Sequence, residues 1–361
     1  MITISLCMIV KNEADVLHRC LSSVEAAVDE IIIVDTGSED ETITIAETHQ
    51  AKVYSFPWCD DFAAARNYSF DQASMDYILW LDADDVVPAA ELAKLNRLKQ
   101  TMDEAYDMVM MQYHTAFDEQ GRPTFSFARE RLIRRKANLR WEGAVHETIP
   151  LAAHCLNTDI AVEHHKLKPK DTMRNLRILE KISRHGGLSV RQQFYYAREL
   201  ADHKRYAEAV DHYTAFLNAP DGWAENQIEA CLGLAACYES LHHETKGALA
   251  LLQAFLYAPP RAEVCCALGN YFYRQQAWNQ AVFWFDLATK CSVPLKSGGF
   301  IRLDCYGYIP WISLCCCYDK LKDWRQAWLA NEAAGSFKPD DAAYLYNRQY
   351  LSQSYDLSKT E

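Results

Sequence analysis

The sequence is short of positive charge, of long apolar runs and of any ordered cysteine pattern, and each shortage closes a class of function. Its 37 Lys and Arg face 49 Asp and Glu, for a formal net charge of -12. A general nucleic-acid surface wants a basic stripe, so this balance argues against one and suits small ligands or a basic partner. No apolar run approaches the length of a membrane span. The opening segment MITISLCMIVKNEADVL lacks a basic n-region and a small-residue cleavage site, which excludes a secretory leader there and sets the expectation of a cytoplasmic protein. Thirteen cysteines, an odd number, include the run Cys315, Cys316, Cys317 but no CxxC pair. Structural zinc is therefore not expected, and buried free thiols in a reducing compartment are.

What is present divides into two halves with different periods. A chain of 361 residues has room for about two domains, each with a real core. Over the first half, short apolar runs alternate with helical stretches: ITISLCMIV, EIIIVD, KVYSF and YILWLD read as strands, with EADVLHRCLSSVEAAV, SEDETITIAETHQ and FAAARNYSFDQA as helices. Ser38 with Glu41 three residues on suggests a capping box for the second helix, and Pro88 suits the first turn of the helix after YILWLD. Strands apolar on both faces, separated by helices, predict a mostly parallel, Rossmann-like α/β sheet covered on two sides. Ligands of such sheets bind at the carboxyl ends of the strands, where Asp35 and Asp82 fall.

From about Ser189 a different pattern recurs. A bulky residue precedes a small one, an aromatic or leucine follows three later, and another small residue comes nine after that. The matching sets are Tyr196, Ala197, Leu200, Ala209; Leu234, Ala235, Tyr238, Gly247; Leu268, Gly269, Phe272, Ala281; and Leu314, Cys315, Tyr318, Ala327. The spacing is roughly that of a tetratricopeptide repeat, with TKCSVPLKSGGFIRLDCYG inserted between the third and fourth units. The expected organisation is an α/β domain over 1–168, a bridging helix over 169–188, about four repeats over 189–340, and a C-terminal helix or tail over 341–361.

The sharpest local feature is YILWLDADDVVP, where a buried strand ends in Asp82, Asp84 and Asp85. Carboxylates this close repel unless a metal ion, an arginine cluster or bulk water lies among them. An Asp-x-Asp pair at a strand end points two carboxylates to one side, which suits Mg²⁺ or Mn²⁺ bridging protein and diphosphate. A solvated surface turn is the plainer alternative.

This stretch does not stand alone. VKNEADVLHRCLSSV, IIIVDTGSEDETITIA and FPWCDDFAAARNYSFDQASMDYILWLDADD, in this order over residues 3 to about 87, resemble the family 2 glycosyltransferases of the GT-A fold. RLIRRKANLRWEGAVHE and AVEHHKLKPKDTMRNLRILE extend the resemblance to a subgroup joined to tetratricopeptide repeats, which includes the S-glycosyltransferases that modify sublancin-type bacteriocin peptides.

The resemblance implies a UDP-sugar donor, UDP-glucose or UDP-N-acetylglucosamine, with Glu13, Asp35, Arg66, Asn67, Asp82, Ala83, Trp141 and Arg131 around the nucleotide sugar. Arg131, with Arg134, is placed beside the diphosphate. Asp84 and His164 are the implied metal ligands, with His165 an alternative to His164, and Glu147 the implied general base, with His146 as alternative or helper. Lys166 and Leu167 replace the Gly-Tyr that relatives often carry after the histidine. Several of these residues have plainer readings: Glu13 as a first-turn helix acid, Arg66 in an ordinary ion pair, Trp141 as core, His164 as a satisfied surface histidine.

The implied reaction is a single displacement with inversion onto a Cys, Ser or Thr side chain of a peptide or protein, with the repeats capturing the acceptor or mediating a homodimer. Two alternatives stand beside it: a transferase of the same fold acting on a cell-surface glycan or lipid carrier, and a silent repeat scaffold.

Overall fold

Nearly continuous burial along the strands Ile4–Val10, Glu30–Asp35 and Tyr77–Trp80, on both faces of their sheet, makes the core two-sided. The computed structural model describes residues 1–166, 171–295 and 297–354 and divides into two units, Met1–Leu188 and Ser189–Glu361. The boundary expected at 168/169 and the end of the expected tail, 355–361, lie outside the described residues.

In the first unit β1 (Ile4–Val10) leads to α1 (Ala14–Val24), and β2 (Glu30–Asp35) to α2 (Thr42–Thr48). Then come β3 (Lys52–Ser55), α3 (Phe62–Asp71), β4 (Tyr77–Trp80), β5 (Asp85–Val86) and α4 (Ala89–Thr101). Three further strands, β6 (Met108–Phe117), β7 (Pro123–Arg134) and β8 (Cys155–His164), precede α5 (Arg174–Gly186). The strands lie in the order β3-β2-β1-β4-β7-β6-β8-β5. The α/β architecture is the expected one, but the sheet is mixed. β3, β2, β1 and β4 run parallel, whereas β7 is antiparallel to both β4 and β6, and β5 is antiparallel to β8. Leu6, Met8, Ile33 and Leu79 bury one face with Leu17 and Leu21 of α1. Cys7, Ile32, Ile78 and Trp80 bury the other with Ala63 and Phe70 of α3 and with Trp141.

The caps differ from expectation at α2. Its helix begins at Thr42, and Asp40 rather than Ser38 accepts from Thr42 N, at 3.0 Å. Ser38 Oγ instead accepts from Asn12 N, tying the loops after β1 and β2 together. At α3 the Asp61 side chain accepts from Ala64 N at 2.9 Å, so the helix carrying Arg66 and Asn67 has a fixed start.

Glu30 anchors the other end of the sheet. Its carboxylate accepts from Ser5 Oγ at 2.6 Å, Lys52 Nζ at 2.7 Å, and Ser74 N and Oγ at 3.0 Å each. Burial opposes its ionisation, but hydrogen bonds from Lys52, Ser5 and Ser74 prevail and lower its pKa to about 2. A carboxyl with a depressed folded pKa contributes stability above its unfolded pKa of about 4.3 and loses it as pH falls toward the folded value. Glu30→Gln is therefore expected to lower the urea midpoint at pH 7. The difference from the unaltered chain shrinks between pH 5 and pH 3, which paired urea titrations would measure.

The second unit consists of helix pairs α6 (Val190–Asp202) with α7 (Tyr206–Leu217), α8 (Ala224–Ser240) with α9 (Glu244–Gln253), α10 (Ala262–Arg274) with α11 (Trp278–Thr289), and α12 (Tyr308–Lys320) with α13 (Trp324–Phe337). A last helix, α14 (Ala342–Ser354), follows. The recurring small residues sit where the helices of a pair touch. Ala197, Ala209, Ala281 and Ala327 are fully buried, and a Cβ on Gly269 would lie 2.7 Å from the Phe285 ring. These are the contacts a tetratricopeptide-like repeat requires. Ser189 and Gln192 form a capping box that starts the array.

Candidate active site

The three aspartates after β4 have three different surroundings. Asp82 N donates to Asp85 Oδ2 at 2.9 Å and Asp85 N to Asp82 O at 3.0 Å, closing a tight turn. That turn sends Asp85 into β5, which pairs antiparallel with β8 so that Asp85 stands opposite His164. Asp85 is 0% exposed, forms an ion pair with Arg131 at 3.0 Å, and accepts from Tyr113 Oη at 2.7 Å. Arg131, also 0% exposed, lies between the Trp80 and Tyr113 rings at 3.9 and 4.3 Å. An arginine thus neutralises one member of the cluster, beneath the site.

Asp84 and His164 lie above that pair. His164 Nδ1 is 3.4 Å from Asp84 Oδ1, 3.2 Å from Asp85 Oδ1 and 2.9 Å from Tyr113 Oη. Burial disfavours the imidazolium, but the hydrogen bond to Asp85 and the charge of Asp84 raise the His164 pKa above its ordinary value. Ligand atoms of Asp84, Asp85 and His164 fall within 4.8 Å of one another. Asp84 and His164 on the cavity wall, with the Asp85 carboxylate buried behind them, fit a divalent cation that keeps some of its ligands from water or phosphate. With Asp85 occupied by Arg131, Tyr113 and the Asp82 amide, Asp84 and His164 are the better ligands. His165 points elsewhere, pairing with Glu163 at 2.8 Å and stacking on Phe117.

Asp82 belongs to a second group. Arg66, on α3, donates through Nη2 to Asp82 Oδ1 and through Nε to Glu147 Oε1, both at 2.7 Å. Its guanidinium lies 4.8 Å from the Trp80 ring and 4.9 Å from the Trp141 ring. Burial disfavours charge on both acid and base. Arg66 nevertheless holds the Asp82 carboxyl well below the usual range, and Asp82 with Glu147 pushes the Arg66 pKa up. Glu147 arrives on a folded-back loop: Glu142 and Thr148 exchange backbone hydrogen bonds at 2.9 and 3.1 Å, and Gly143 and His146 have φ of +96° and +53°. Phe62 N donates to Ala144 O, and Asn67 exchanges two hydrogen bonds with the Trp141 backbone, so α3 fixes this loop.

Both groups face one cavity of about 1000 Å³. Glu13, Arg66, Asp82, Ala83, Asp84, His146, Glu147 and His164 line it. Five residues expected around the ligand are not among those lining the cavity. Arg131 is sealed under the floor, and Arg134 pairs with Asp107 on the sheet. Trp141, 3% exposed, packs edge-on against Trp80 and serves as the base under Arg66. Asn67 is spent on the Trp141 backbone. Asp35 accepts from Gly37 N and Ser38 N, shaping the loop in which Thr36 lines the cavity.

The sequence reading missed the wall made by α5, assigned there only to bridging. Arg174, Arg177 and Lys181 line the cavity. Arg174 rests on the Phe62 ring at 4.5 Å, Arg177 pairs with Asp171, and Lys181 reaches Asp60 at 3.0 Å. Their spacing of three and four residues, one basic helical face, was the available signal. Trp58 and Arg129 also line the cavity and were missed, Trp58 although it lies in the FPWCDD stretch and Arg129 because it precedes the RLIRRK stretch.

Residues 5–153 match the model described as Glycosyl transferase family 2. They are a family 2 glycosyltransferase domain. Over 149 residues the chain is 39% identical to a TPR repeat-containing protein of Synechococcus elongatus, covering 41% of this chain and 36% of that one. Over 229 residues it is 26% identical to the prophage-derived glycosyltransferase SunS of Bacillus subtilis, covering 60% of this chain and 53% of SunS. The chain thus spans about half or less of the length of these curated relatives. Among solved structures, S. aureus TarS in complex with UDP-GlcNAc aligns with a TM-score of 0.41 at 13% identity, over 68% of this chain and 91% of that one. Among the described residues of the chain, no helix is long and apolar enough to cross a membrane.

Proposed function

We propose that this chain is a metal-dependent, inverting glycosyltransferase that moves a sugar from a UDP-sugar to a Cys, Ser or Thr side chain of a peptide or protein. The observation that carries the reading is the meeting, in one cavity, of the Asp84–His164 pair with the Arg66-clamped carboxylates Asp82 and Glu147. The family of the first domain and the repeats behind it, a pairing that resembles the peptide-modifying subgroup, support the donor and acceptor classes.

When bound at Asp84 and His164, Mg²⁺ or Mn²⁺ would offset the charge that develops on the departing diphosphate. Glu147 takes the proton from the acceptor hydroxyl or thiol as the new bond forms at the anomeric carbon and the bond to UDP breaks. Arg66 fixes that carboxylate and holds Asp82 in position toward ribose or sugar. Rigid placement of this kind is what lets a base act without reorganising. Glu13, at the N-cap position of α1, lines the cavity and would contact the nucleoside.

Calorimetric titration with UDP, with and without Mn²⁺, tests the donor reading, and release of UDP from UDP-glucose and UDP-N-acetylglucosamine tests turnover. Binding that strengthens with Mn²⁺ is expected. No nucleotide binding in either condition sinks the proposal, and transfer only to a lipid-linked glycan moves the acceptor to a different class.

A further inference from the structure

The second unit contains a segment to which the proposed function assigns no role. Between α11 and α12 the chain leaves the helical pattern, and residues 298–306 contact α6, the start of α8 and α10, the first helices of three successive pairs. Gly298, at φ +73°, brings its backbone against Trp223, so that an added Cβ would lie 3.6 Å from the indole. Gly299 is closer still: a Cβ there would collide with the Glu225 carboxylate, which Arg261 holds in place. The Phe300 ring carries the Arg198 guanidinium at 4.8 Å, and Ile301 is buried. Arg302 forks onto Glu229, Nη1 to Oε2 at 2.9 Å and Nη2 to Oε1 at 2.7 Å. Its backbone N donates to Glu263 Oε1 at 3.0 Å, and Tyr306 Oη donates to Glu263 Oε2 at 2.7 Å.

Contacts of this kind are also those by which a folded surface holds a bound peptide. A glycine pair permits close backbone approach, an aromatic and an aliphatic residue anchor it, and an arginine is read in bidentate geometry. The receiving surface is anionic, built from Glu225, Glu229 and Glu263. Burial disfavours charge on Glu229, yet the Arg302 fork and the charge of Arg198 hold its carboxyl below the ordinary range. Stacked helical repeats create extended surfaces that take ligands along such a face.

We propose that the face formed by the first helices of pairs one to three is a binding surface for an extended, arginine-bearing peptide, and that residues 298–306 occupy it as a tethered ligand of the chain itself. Tethering gives the segment an effective concentration on the order of millimolar, so an outside peptide reaches this face only by displacing it. A displacing partner needs the same chemistry: two small residues, an aromatic, an aliphatic and an arginine in sequence.

The test uses the full chain and a fluorescent peptide, Gly-Gly-Phe-Ile-Arg-Leu, followed by anisotropy. Arg302→Ala removes the tethered cation and leaves Glu229 in place. The variant is expected to bind the peptide at least about tenfold more tightly than the unaltered chain, whose face is already filled. The same peptide with alanine for arginine is expected to lose that gain. Equal binding by both chains, or equal binding of the two peptides, overturns the proposal. Hydrogen exchange on the unaltered chain gives a second reading that does not depend on the variant folding. The Arg302 amide should be protected to the level of α10, and exchange at the rate of an open loop overturns the tethered-ligand assignment.

Discussion

Asp84→Asn is expected to lower sugar transfer by about a thousandfold and to abolish the strengthening of UDP binding by Mn²⁺, while leaving the melting temperature within about 2 °C of the unaltered chain. The substitution keeps the shape of a side chain that is 3% exposed. The backbone hydrogen bond from His165 N to Asp84 O, which holds β8 beside the turn, does not involve the carboxylate. What it removes is the anionic ligand facing the cavity. Asp85→Asn, one residue on, is expected to do the reverse to stability. It leaves Arg131 buried between two aromatic rings without its counter-charge, and breaking a buried pair on one side costs about 3–5 kcal/mol. Denaturant titrations beside Mn²⁺-dependent turnover separate the two. If Asp84→Asn is the unstable variant and Asp85→Asn the stable, inactive one, the assignment of ligand and support is wrong.

The contrast between these neighbours shows what the sequence could and could not convey. Strand ends and the crowding of Asp82, Asp84 and Asp85 are local, so apolar runs and spacing revealed them. The partners that give each aspartate its job come from far along the chain. Arg131 reaches Asp85 because β7 runs antiparallel beside β4, and His164 reaches Asp84 because β8 pairs with β5. Neither antiparallel pairing leaves a periodic mark on the β4 segment itself. For the same reason Arg131 and Trp141 looked like ligand contacts: arginine and tryptophan in a motif suggest a binding surface until burial shows that they support one. α5 failed in the opposite direction. Its basic face was visible, but only the folded chain shows that face lining the cavity.

Family membership and repeat spacing were legible because they rest on many residues at once. The inserted segment was legible only as a break in that spacing. Its glycine pair and arginine gain meaning from Trp223, Glu225, Glu229 and Glu263, which belong to two different helix pairs.

Glu147→Gln is the other variant with a large expected effect, and its size depends on the acceptor. A positioned general base contributes about 10²–10⁴ in rate, so transfer to a serine peptide should fall by about a thousandfold. The amide still offers an oxygen to Arg66 Nε, so the clamp across Asp82 and residue 147 persists and the loss reports on proton removal rather than on collapse of the site. A cysteine acceptor is different, because a thiol ionises near pH 8.5 without help. With a cysteine peptide the loss should be about tenfold or less at pH 7 and should shrink further as pH approaches the thiol pKa. Rates for two peptides that differ only in Ser and Cys, measured from pH 6.5 to 9, make the comparison. A loss of the same size for both acceptors at every pH would mean that Glu147 positions the substrate instead of deprotonating it. A large loss confined to a His146→Asn variant would transfer the role to the imidazole beside it. The clamp itself favours Glu147: Arg66 fixes one oxygen of that carboxylate at 2.7 Å, on a loop whose ends are hydrogen-bonded to each other. Positioning of that kind is what a base requires before its pKa matters at all.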